Sequence, residues 1–103
     1  MSWIKLQSEY SDLDKYKNSG NIFYFKKDTK ILHNPYGPSA LYSYGSKAYY
    51  INDKCHRLDG PAIMRTDGIE FYFINNIELT KEEFEMHPER LKYLGKEHLI
   101  CLL

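Results

Sequence analysis

Runs of aromatic and β-branched residues, bounded by turn-forming residues, recur through the middle of this 103-residue chain. In several of these runs, alternate positions carry the most apolar side chains. Both features are typical of β-strands. They predict strands at residues 21–26, 39–43, 47–51, 62–66 and 69–74.

The predicted strands belong to a sequence repeat. A pattern of His, Gly-Pro, Gly, Tyr, Ile and Asn begins at His56, and a copy with the same internal spacing begins at His33. The period, 56 minus 33, is 23 residues. Residues 21–26 align as a third, decayed copy, with two extra residues in its turn and no leading strand. A repeat of this length is one supersecondary unit that must stack on its neighbours. The fold class predicted is therefore α+β, with an antiparallel β-meander of about three hairpin repeats.

The turns and side-chain alternation give the predicted meander two faces. Asp67-Gly68 predicts a type I′ hairpin turn, and Asn52-Asp53 and Asn75-Asn76 predict the next connections. One face carries the more apolar set and is predicted to be the core; its residues are Phe23, Phe25, Ala48, Tyr50, Phe71 and Phe73. The opposite face is predicted to carry a half-buried row of tyrosines together with isoleucines; these are Tyr24, Tyr49, Tyr72, Ile51 and Ile74.

The two ends of the chain differ from its middle, within what we expect to be one domain. Residues 1–20 form an N-terminal segment in which Ser11 and Asp14 fit a helix start, so a short helix and irregular structure are both open. Residues 21–79 form the predicted sheet. In residues 80–103, Thr80 and Glu83 predict a capping box and a short helix, and Pro88 predicts a second one ending near Gly95. The apolar tail after it is expected to dock on the sheet or on a partner.

Composition restricts the class of protein. Fourteen Lys and Arg residues balance fourteen Asp and Glu residues, so general nucleic-acid binding and attraction to an acidic membrane are not expected. No run of about 18 apolar residues and no signal peptide is evident. Cys55 and Cys101 are expected to be free thiols in a reducing compartment, which predicts a soluble, cytoplasmic protein.

No catalytic or metal-binding motif stands out. His33 and His56 occupy equivalent repeat positions and His87 lies in the helical part, but their spacing does not match a metal site, and each is expected to bond a turn carbonyl or pack beside a Gly-Pro. Cys55 and His56 are adjacent and should point to opposite faces of a strand. We therefore expect a non-enzymatic protein without cofactors or metals.

The candidate contact residues are features that overlie the repeat. Tyr24, Tyr49 and Tyr72 form the predicted row, and tyrosine supplies rigid contact area with a polar tip. Arg57 and Asp59 are absent from the copy at His33, where Asn34 and Tyr36 stand; a local ion pair and an anion or nucleotide site are both open, with Arg65 as a further phosphate ligand. An ordinary sheet surface beneath the helices is the alternative for the tyrosines.

The segment His-Arg-x-Asp-Gly-Pro-Ala at residues 56–62, with Asp67-Gly68 and Tyr72-x-x-Asn75, resembles a repeat of small proteins from bacteriophages and large DNA viruses. It is also distantly similar to the MORN repeat. The resemblance covers about residues 33–84. The copy at His33 departs from it at Asn34, Tyr36 and Tyr44. The resemblance implies a β-hairpin array and brings no catalytic residues.

Three hypotheses of function follow. If the protein is viral, as the resemblance implies, we expect a stoichiometric inhibitor of a host protein, such as a defence effector, in the host cytoplasm. The second is a small-ligand protein that sequesters a nucleotide signal through its tyrosines and arginines. The third is a structural or assembly component, which predicts a homo-oligomer.

Overall fold

The computed structural model describes residues 2–102 of the chain, and the side chains of residues 2–100. The strands are β1 (Ile4–Leu6), β2 (Leu13–Asn18), β3 (Asn21–Lys26), β4 (Ala40–Leu41), β5 (Lys47–Ala48), β6 (Tyr50–Ile51), β7 (Lys54–Cys55), β8 (Ile63–Met64), β9 (Glu70–Ile74) and β10 (Ile77–Leu79). The α-helices are α1 (Lys81–Glu85) and α2 (Pro88–Tyr93), and a 3₁₀ helix covers Glu97–Leu102.

Eight of these strands form one antiparallel sheet in the order β1-β2-β3-β4-β5-β8-β9-β10, and β6 pairs with β7 in a separate hairpin. The spatial order of these eight strands follows their order along the chain, which is the arrangement called a meander. The helices come last. The predicted α+β class and meander of hairpins are confirmed.

The predicted strands are all present, most of them shorter than expected. Residues 21–26 match β3 at both ends. The predicted strand at residues 47–51 divides into β5, which pairs with β8, and β6, which pairs with β7. The chain therefore leaves the main sheet at Tyr49, and the local pattern could not indicate this change of partner.

The N-terminal segment corrects the prediction most. No helix begins at Ser11; instead β2 pairs along its whole length with β3, in register from Leu13 opposite Lys26 to Asn18 opposite Asn21. The first repeat thus has the leading strand that the sequence was predicted to lack. Leu13 and Asp14 are 3% and 4% exposed, and the carboxylate of Asp14 accepts a hydrogen bond from the Asp28 amide at 2.8 Å. Successive residues of a strand point to opposite faces, so both faces of β2 are covered at this end.

Two tight hairpin turns fall on pairs of Asn and Asp, and another falls on Ser19-Gly20, where both residues also have positive φ. Asn52 and Asp53 both have positive φ, 51° and 66°, and so do Asn75 and Asn76, 50° and 70°. The prediction of a type I′ turn at Asp67-Gly68 is wrong, because only Gly68 has positive φ and its amide bonds the Arg65 carbonyl at 3.1 Å. That geometry is a type I turn followed by a glycine bulge.

Both faces of the sheet contribute to the core, although one face was predicted to dominate. On the predicted core face Phe25 and Ala48 are buried, whereas Phe23, Phe71 and Phe73 are only partly buried. On the opposite face, Tyr24 and Ile74 are 4% and 2% exposed. Phe84 of α1 lies on this second face, its ring centroid 4.7 Å from that of Tyr72. Phe84 covers this face at Tyr72, and Glu9 and Tyr10 cover it at Tyr24, so different parts of the chain bury the second face.

Helix α1 begins as predicted. The Thr80 hydroxyl accepts from the Glu83 amide at 3.1 Å, and the Glu83 carboxylate accepts from the Thr80 amide at 2.8 Å. This reciprocal capping box saturates amides that the helix cannot satisfy internally. Helix α2 has Pro88 in its first turn and His87 as N-cap, and Gly95 follows its end with φ 73°. The 3₁₀ helix of the apolar tail contacts α2; the side chains of Cys101, Leu102 and Leu103, part of the predicted docking tail, lie outside the described ones.

Candidate functional site

Two histidines join successive repeats in the same way. Nδ1 of His33 accepts from the Asn52 amide at 3.0 Å, and Nδ1 of His56 accepts from the Asn75 amide at 3.0 Å. Two surroundings were expected for each histidine, a bond to a turn carbonyl or packing beside the following Gly-Pro. The expected bond is corrected for these two residues: the partner of Nδ1 is a turn amide of the following hairpin. An Nδ1 that accepts must be unprotonated, and burial, the largest cause, lowers the pKa of both histidines.

The segments after these histidines form two similar turns, residues 34–37 and residues 57–60. In the first, Nδ2 of Asn34 donates to the Pro38 carbonyl at 3.0 Å. In the second, Nη1 of Arg57 donates to the Pro61 carbonyl at 3.1 Å, and its Nε donates to the Asp59 carboxylate at 2.7 Å. The predicted Arg57–Asp59 ion pair is therefore present, and the two bonds of Arg57 link the residues of the second turn.

Between these two turns lies an open cleft of about 400 Å³, which we name the inter-turn cleft. Tyr49 and Ile51 line it between the turns, Tyr36 and Arg57 line it from the turns, and Tyr93 of α2 contributes a further side chain. Residues from separate parts of the chain thus converge on one concavity, which is the usual form of a binding site.

The guanidinium of Arg57 covers one tyrosine of the cleft. Its central carbon lies 4.0 Å from the ring centroid of Tyr49, and only 20% of the Arg57 side chain is exposed. The planar cation on the ring face is attractive, and it fixes both side chains. Asp59 balances the charge of Arg57, so the pair adds no net charge to the cleft.

Two polar contacts hold helix α2, one to the second turn and one to the Asn75-Asn76 turn between β9 and β10. Nη1 of Arg90 donates to the Leu58 carbonyl at 2.6 Å, and the Asn75 amide group donates to the Glu89 carboxylate at 2.9 Å. The Arg90 guanidinium also lies 4.5 Å from the Phe84 ring centroid. These contacts place Tyr93, in the last turn of α2, at the cleft.

The structure brings together three of the predicted contact residues, Tyr49, Arg57 and Asp59. Tyr24 lies elsewhere and is buried; its hydroxyl donates to the Glu9 carboxylate at 2.8 Å, and burial raises its pKa. Tyr72 packs under Phe84. Arg65 pairs with Asp67 at 2.7 Å at an exposed hairpin tip. The tyrosine row is therefore divided among three surroundings.

Tyr36 and Tyr93 are cleft residues that sequence reasoning did not select. Tyr36 is 57% exposed, its ring is stacked on Tyr10 at 4.7 Å between centroids, and its hydroxyl donates to Asp12 at 2.8 Å. An aromatic residue between Pro35 and Gly37 in a turn is a signal that could have identified it. The position of Tyr93, 58% exposed, depends on how α2 docks, which the pattern does not encode.

The titratable side chains of residues 2–100 do not provide a metal site, since no cluster of three His, Cys, Asp or Glu among them could hold a metal ion. Burial raises the pKa of the Cys55 thiol to about 11, so the thiolate that a nucleophile requires is scarce at neutral pH.

Comparisons of the chain with protein-family models, with curated proteins and with solved structures found no match. Within the described part of the chain, none of the helices combines the length and the apolar character needed to cross a bilayer.

Proposed function

We propose that this chain is a small, non-enzymatic binding protein that acts by holding a partner protein at the inter-turn cleft. The observation that supports the proposal is the convergence of Tyr36, Tyr49, Tyr93 and Arg57 on that cleft. Tyrosine and arginine are the residue types most enriched among side chains that dominate binding energy in protein interfaces.

Two tyrosines of the cleft, Tyr36 and Tyr49, are already held in position by neighbouring side chains before a partner binds. Tyr36 is held by its ring stack on Tyr10 and its hydrogen bond to Asp12, and Tyr49 is held beneath Arg57. Side chains fixed in advance lose little conformational entropy when a partner arrives. More than half of Tyr36 and of Tyr93 remains exposed and available for burial.

The charge of the cleft favours an uncharged group of the partner. Arg57 is neutralised by Asp59 at 2.7 Å, and burial holds His56 in its neutral form. A charged group entering the cleft would lose hydration without gaining a free counter-charge from these residues. We therefore infer that the partner inserts an apolar or amide side chain between the two turns.

The resemblance to repeats of bacteriophage and large DNA virus proteins supports the choice of partner. A viral chain of this kind would act in the host cytoplasm as a stoichiometric inhibitor or modulator of a host protein, for which a defence effector is the leading candidate. Nucleotide sequestration is the alternative, but Asp59 occupies Nε of Arg57, and this contact disfavours a phosphate there.

The proposal is tested with matched tyrosine variants. Purified protein, immobilised through an added tag, is incubated with host lysate, and the bound proteins are identified and quantified. We expect one partner at near-stoichiometric yield, and capture reduced at least about tenfold by Tyr36→Ala and by Tyr93→Ala.

The control is Tyr44→Ala, because Tyr44 is also exposed, 65%, and lies on another part of the sheet. It should capture the partner as well as the unchanged protein does. Absence of any stoichiometric partner, or equal loss in all three variants while circular dichroism shows them folded, would contradict the proposal.

A further inference from the structure

The two edges of the eight-stranded sheet carry matching sequences of opposite charge. Strand β1, at one edge, reads Ile4-Lys5-Leu6, and β10, at the other, reads Ile77-Glu78-Leu79. Each has a charged residue between two aliphatic residues. Open edges present unpaired backbone groups that can bind another strand, and natural proteins often protect them.

The unpaired backbone groups at the two edges belong to the charged residues. Hydrogen-bonded pairs alternate along an antiparallel ladder, and a two-residue turn is closed by such a pair. The Ser19-Gly20 turn closes β2 and β3 at Asn18 and Asn21. Because hydrogen-bonded pairs alternate, the backbone amides and carbonyls of Lys15 and Lys17 face β1. Their partners there are Leu6 and Ile4. The amide and carbonyl of Lys5 therefore point outward.

The same reasoning applies at the other edge. The Asn75-Asn76 turn makes Ile74 and Ile77 a hydrogen-bonded pair, and Leu79 opposite Tyr72 is the next one. Between them, the amide and carbonyl of Glu78 point away from β9.

The directions of the two edge strands and the faces of their charged residues also suit antiparallel pairing between copies. Neighbouring strands in the eight-stranded order are all antiparallel, so β1 and β10 run in opposite directions. Directly paired residues share a face, and the register runs from Lys5 through Tyr16 and Phe23 across the sheet to Phe73, which is paired with Glu78. Lys5 and Glu78 therefore lie on the same face.

We propose that a second copy of this chain is the partner of these edges, and that β1 of one copy adds to β10 of the next as an antiparallel strand. Lys5 lies opposite Glu78 of the neighbouring copy, and the two residues exchange both backbone hydrogen bonds. Ile4 then faces Leu79, and Leu6 faces Ile77, on the other side of the sheet. The sheet continues through the junction without a change of direction or of face.

Two observations favour this pairing over others, and a competing contact of Lys5 does not prevent it. Ile4 and Ile77 are 56% and 64% exposed, so both bury apolar surface at the junction. Two β1 edges would set Lys5 against Lys5, and two β10 edges would set Glu78 against Glu78, which disfavours symmetric dimers. Lys5 already contacts Asp14 at 3.5 Å, but an ammonium group has three donors and can serve both carboxylates.

Helix α1 follows β10 directly, and its Phe84 packs on Tyr72 of the neighbouring strand β9, which places this helix against a face of the sheet. Because the two surfaces of the junction differ, the association is head-to-tail and produces open chains of copies. Both edge strands are short, which makes each junction weak and the assembly dependent on protein concentration.

The test is sedimentation velocity of the full chain from about 10 μM to about 1 mM, a range in which a junction of millimolar affinity becomes detectable. We expect the mean sedimentation coefficient to rise with concentration. Lys5→Glu and Glu78→Lys should each weaken association about tenfold, because an attractive cross-strand pair becomes a repulsive one. A monomer at every concentration would overturn the proposal.

Mixing distinguishes the proposed junction from general charge effects. The Lys5→Glu and Glu78→Lys variants, each monomeric alone, should associate when combined in equal amounts, because each supplies the complement of the other at both edges. Lys54→Glu, an exposed change of the same charge on β7, should associate as the unchanged protein does. Mixed variants that stay monomeric, or equal weakening by Lys54→Glu, would contradict the proposal.

This inference is independent of the cleft. Tyr36→Ala and Tyr93→Ala should leave the sedimentation profile unchanged, and the two edge variants should retain capture of a partner from lysate. Each proposal can therefore fail without the other.

Discussion

Asn34 and Arg57, at equivalent positions of successive repeats, perform the same structural task with different chemistry. Each side chain donates a hydrogen bond to the carbonyl of the proline four positions further on, at 3.0 Å to Pro38 and 3.1 Å to Pro61. The main-chain amides of both residues are also equivalent, bonding the carbonyls of Tyr50 and Phe73. The difference between the two copies is therefore a substitution within one shared geometry of the repeat.

This equivalence predicts a graded response at residue 57. Arg57→Ala should lower the free energy of unfolding by about 1 to 2 kcal/mol, because the Pro61 carbonyl loses its charged donor. Arg57→Asn should recover part of that loss, since asparagine reaches the corresponding carbonyl in the first turn. Urea unfolding at pH 7.5 measures both. The control is Arg65→Ala, whose exposed ion pair with Asp67 should change stability by less than about 0.5 kcal/mol; an equal effect of Arg57→Ala and Arg65→Ala would contradict the prediction.

The histidine contacts between repeats predict a loss of stability below neutral pH. Burial lowers the pKa of His33 and His56 in the folded protein below the ordinary value of 6.5, so the unfolded chain binds protons more readily. Lys26 adds to the depression at His33 and Asp12 opposes it, whereas at His56 Glu89 opposes it and His87 adds to it. The contribution is complete above the ordinary value and is lost as the pH falls through it towards the folded pKa.

Urea unfolding at pH 7.5 and at pH 5.5 measures this effect. His33→Gln and His56→Gln should each reduce the difference in unfolding free energy between the two pH values, because glutamine can accept the amide without titrating. Glu9 and Asp14 have lowered pKa values from ordinary values of 4.5 and 3.8, so their effect falls below this window. The control is His98→Gln, at an exposed residue of the 3₁₀ helix, which should keep the original difference. A difference unchanged in both test variants would refute the assignment.

In the Asn52-Asp53 turn, substitution by glycine should have little effect on stability at the first position and a clear effect at the second. Both residues have positive φ, which glycine adopts without strain, so Asn52→Gly should change the free energy of unfolding by less than about 0.5 kcal/mol. Asp53→Gly should lower it by about 1 to 2 kcal/mol, because the Asp53 carboxylate accepts the Leu32 amide at 2.7 Å. Thermal and urea unfolding compare the two variants. Similar losses in both would show that the turn conformation, and not the side-chain bond, sets the stability.

Phe84 predicts how strongly the helices are attached to the sheet. It is 2% exposed and packs between Tyr72 and Arg90, so Phe84→Ala should lower the free energy of unfolding by about 3 to 5 kcal/mol. Met86→Ala, at a neighbouring residue that is 42% exposed, should lower it by less than about 1 kcal/mol. Equal losses in urea unfolding would mean that α1 does not anchor on Tyr72.

A nucleotide panel tests the alternative ligand directly. Because Arg57 is already paired with Asp59, we expect no rise in melting temperature with mononucleotides, dinucleotides or cyclic nucleotides. A ligand present at about 100 times its Kd would add about 2.7 kcal/mol to the free energy of unfolding. A clear shift with any member would favour nucleotide sequestration over a protein partner, and its loss in Arg57→Ala would locate the site.

Features of local origin were predictable from the sequence. The strand at residues 21–26, the capping box at Thr80 and the positive φ at Asn75 and Asn76 each depend on neighbouring residues, and each is as predicted. The helix considered near Ser11 is wrong: Leu13 and Tyr16, three residues apart, would share one face of a helix, but in β2 they point to opposite faces of the sheet. Pairing with β3 decides between the two conformations, and β3 lies outside residues 1–20, although only a two-residue turn separates it from β2.

The cleft was predictable only in part, for the same reason. Arg57 and Asp59 were identifiable because one repeat has them and the other does not. Tyr93 lines the same cleft as Tyr49 because α2 docks through Arg90 on the Leu58 carbonyl, a contact between residues 32 positions apart. Tyr24 and Tyr72 share the repeat position of Tyr49, but the cover over each is non-repetitive, namely Glu9 with Tyr10 for one and Phe84 for the other.

The constant spacing of the contacts between hairpins has a consequence for the length of the array. The bonds from His33 to Asn52 and from Leu32 to Asp53 recur, one repeat later, from His56 to Asn75 and from Cys55 to Asn76. A duplicated repeat unit, inserted between the two copies, would meet on each side the partners that its parent meets. The protein is thus open to growth by tandem duplication, and an engineered chain with one more hairpin should fold into a longer sheet with an additional turn-to-turn cleft.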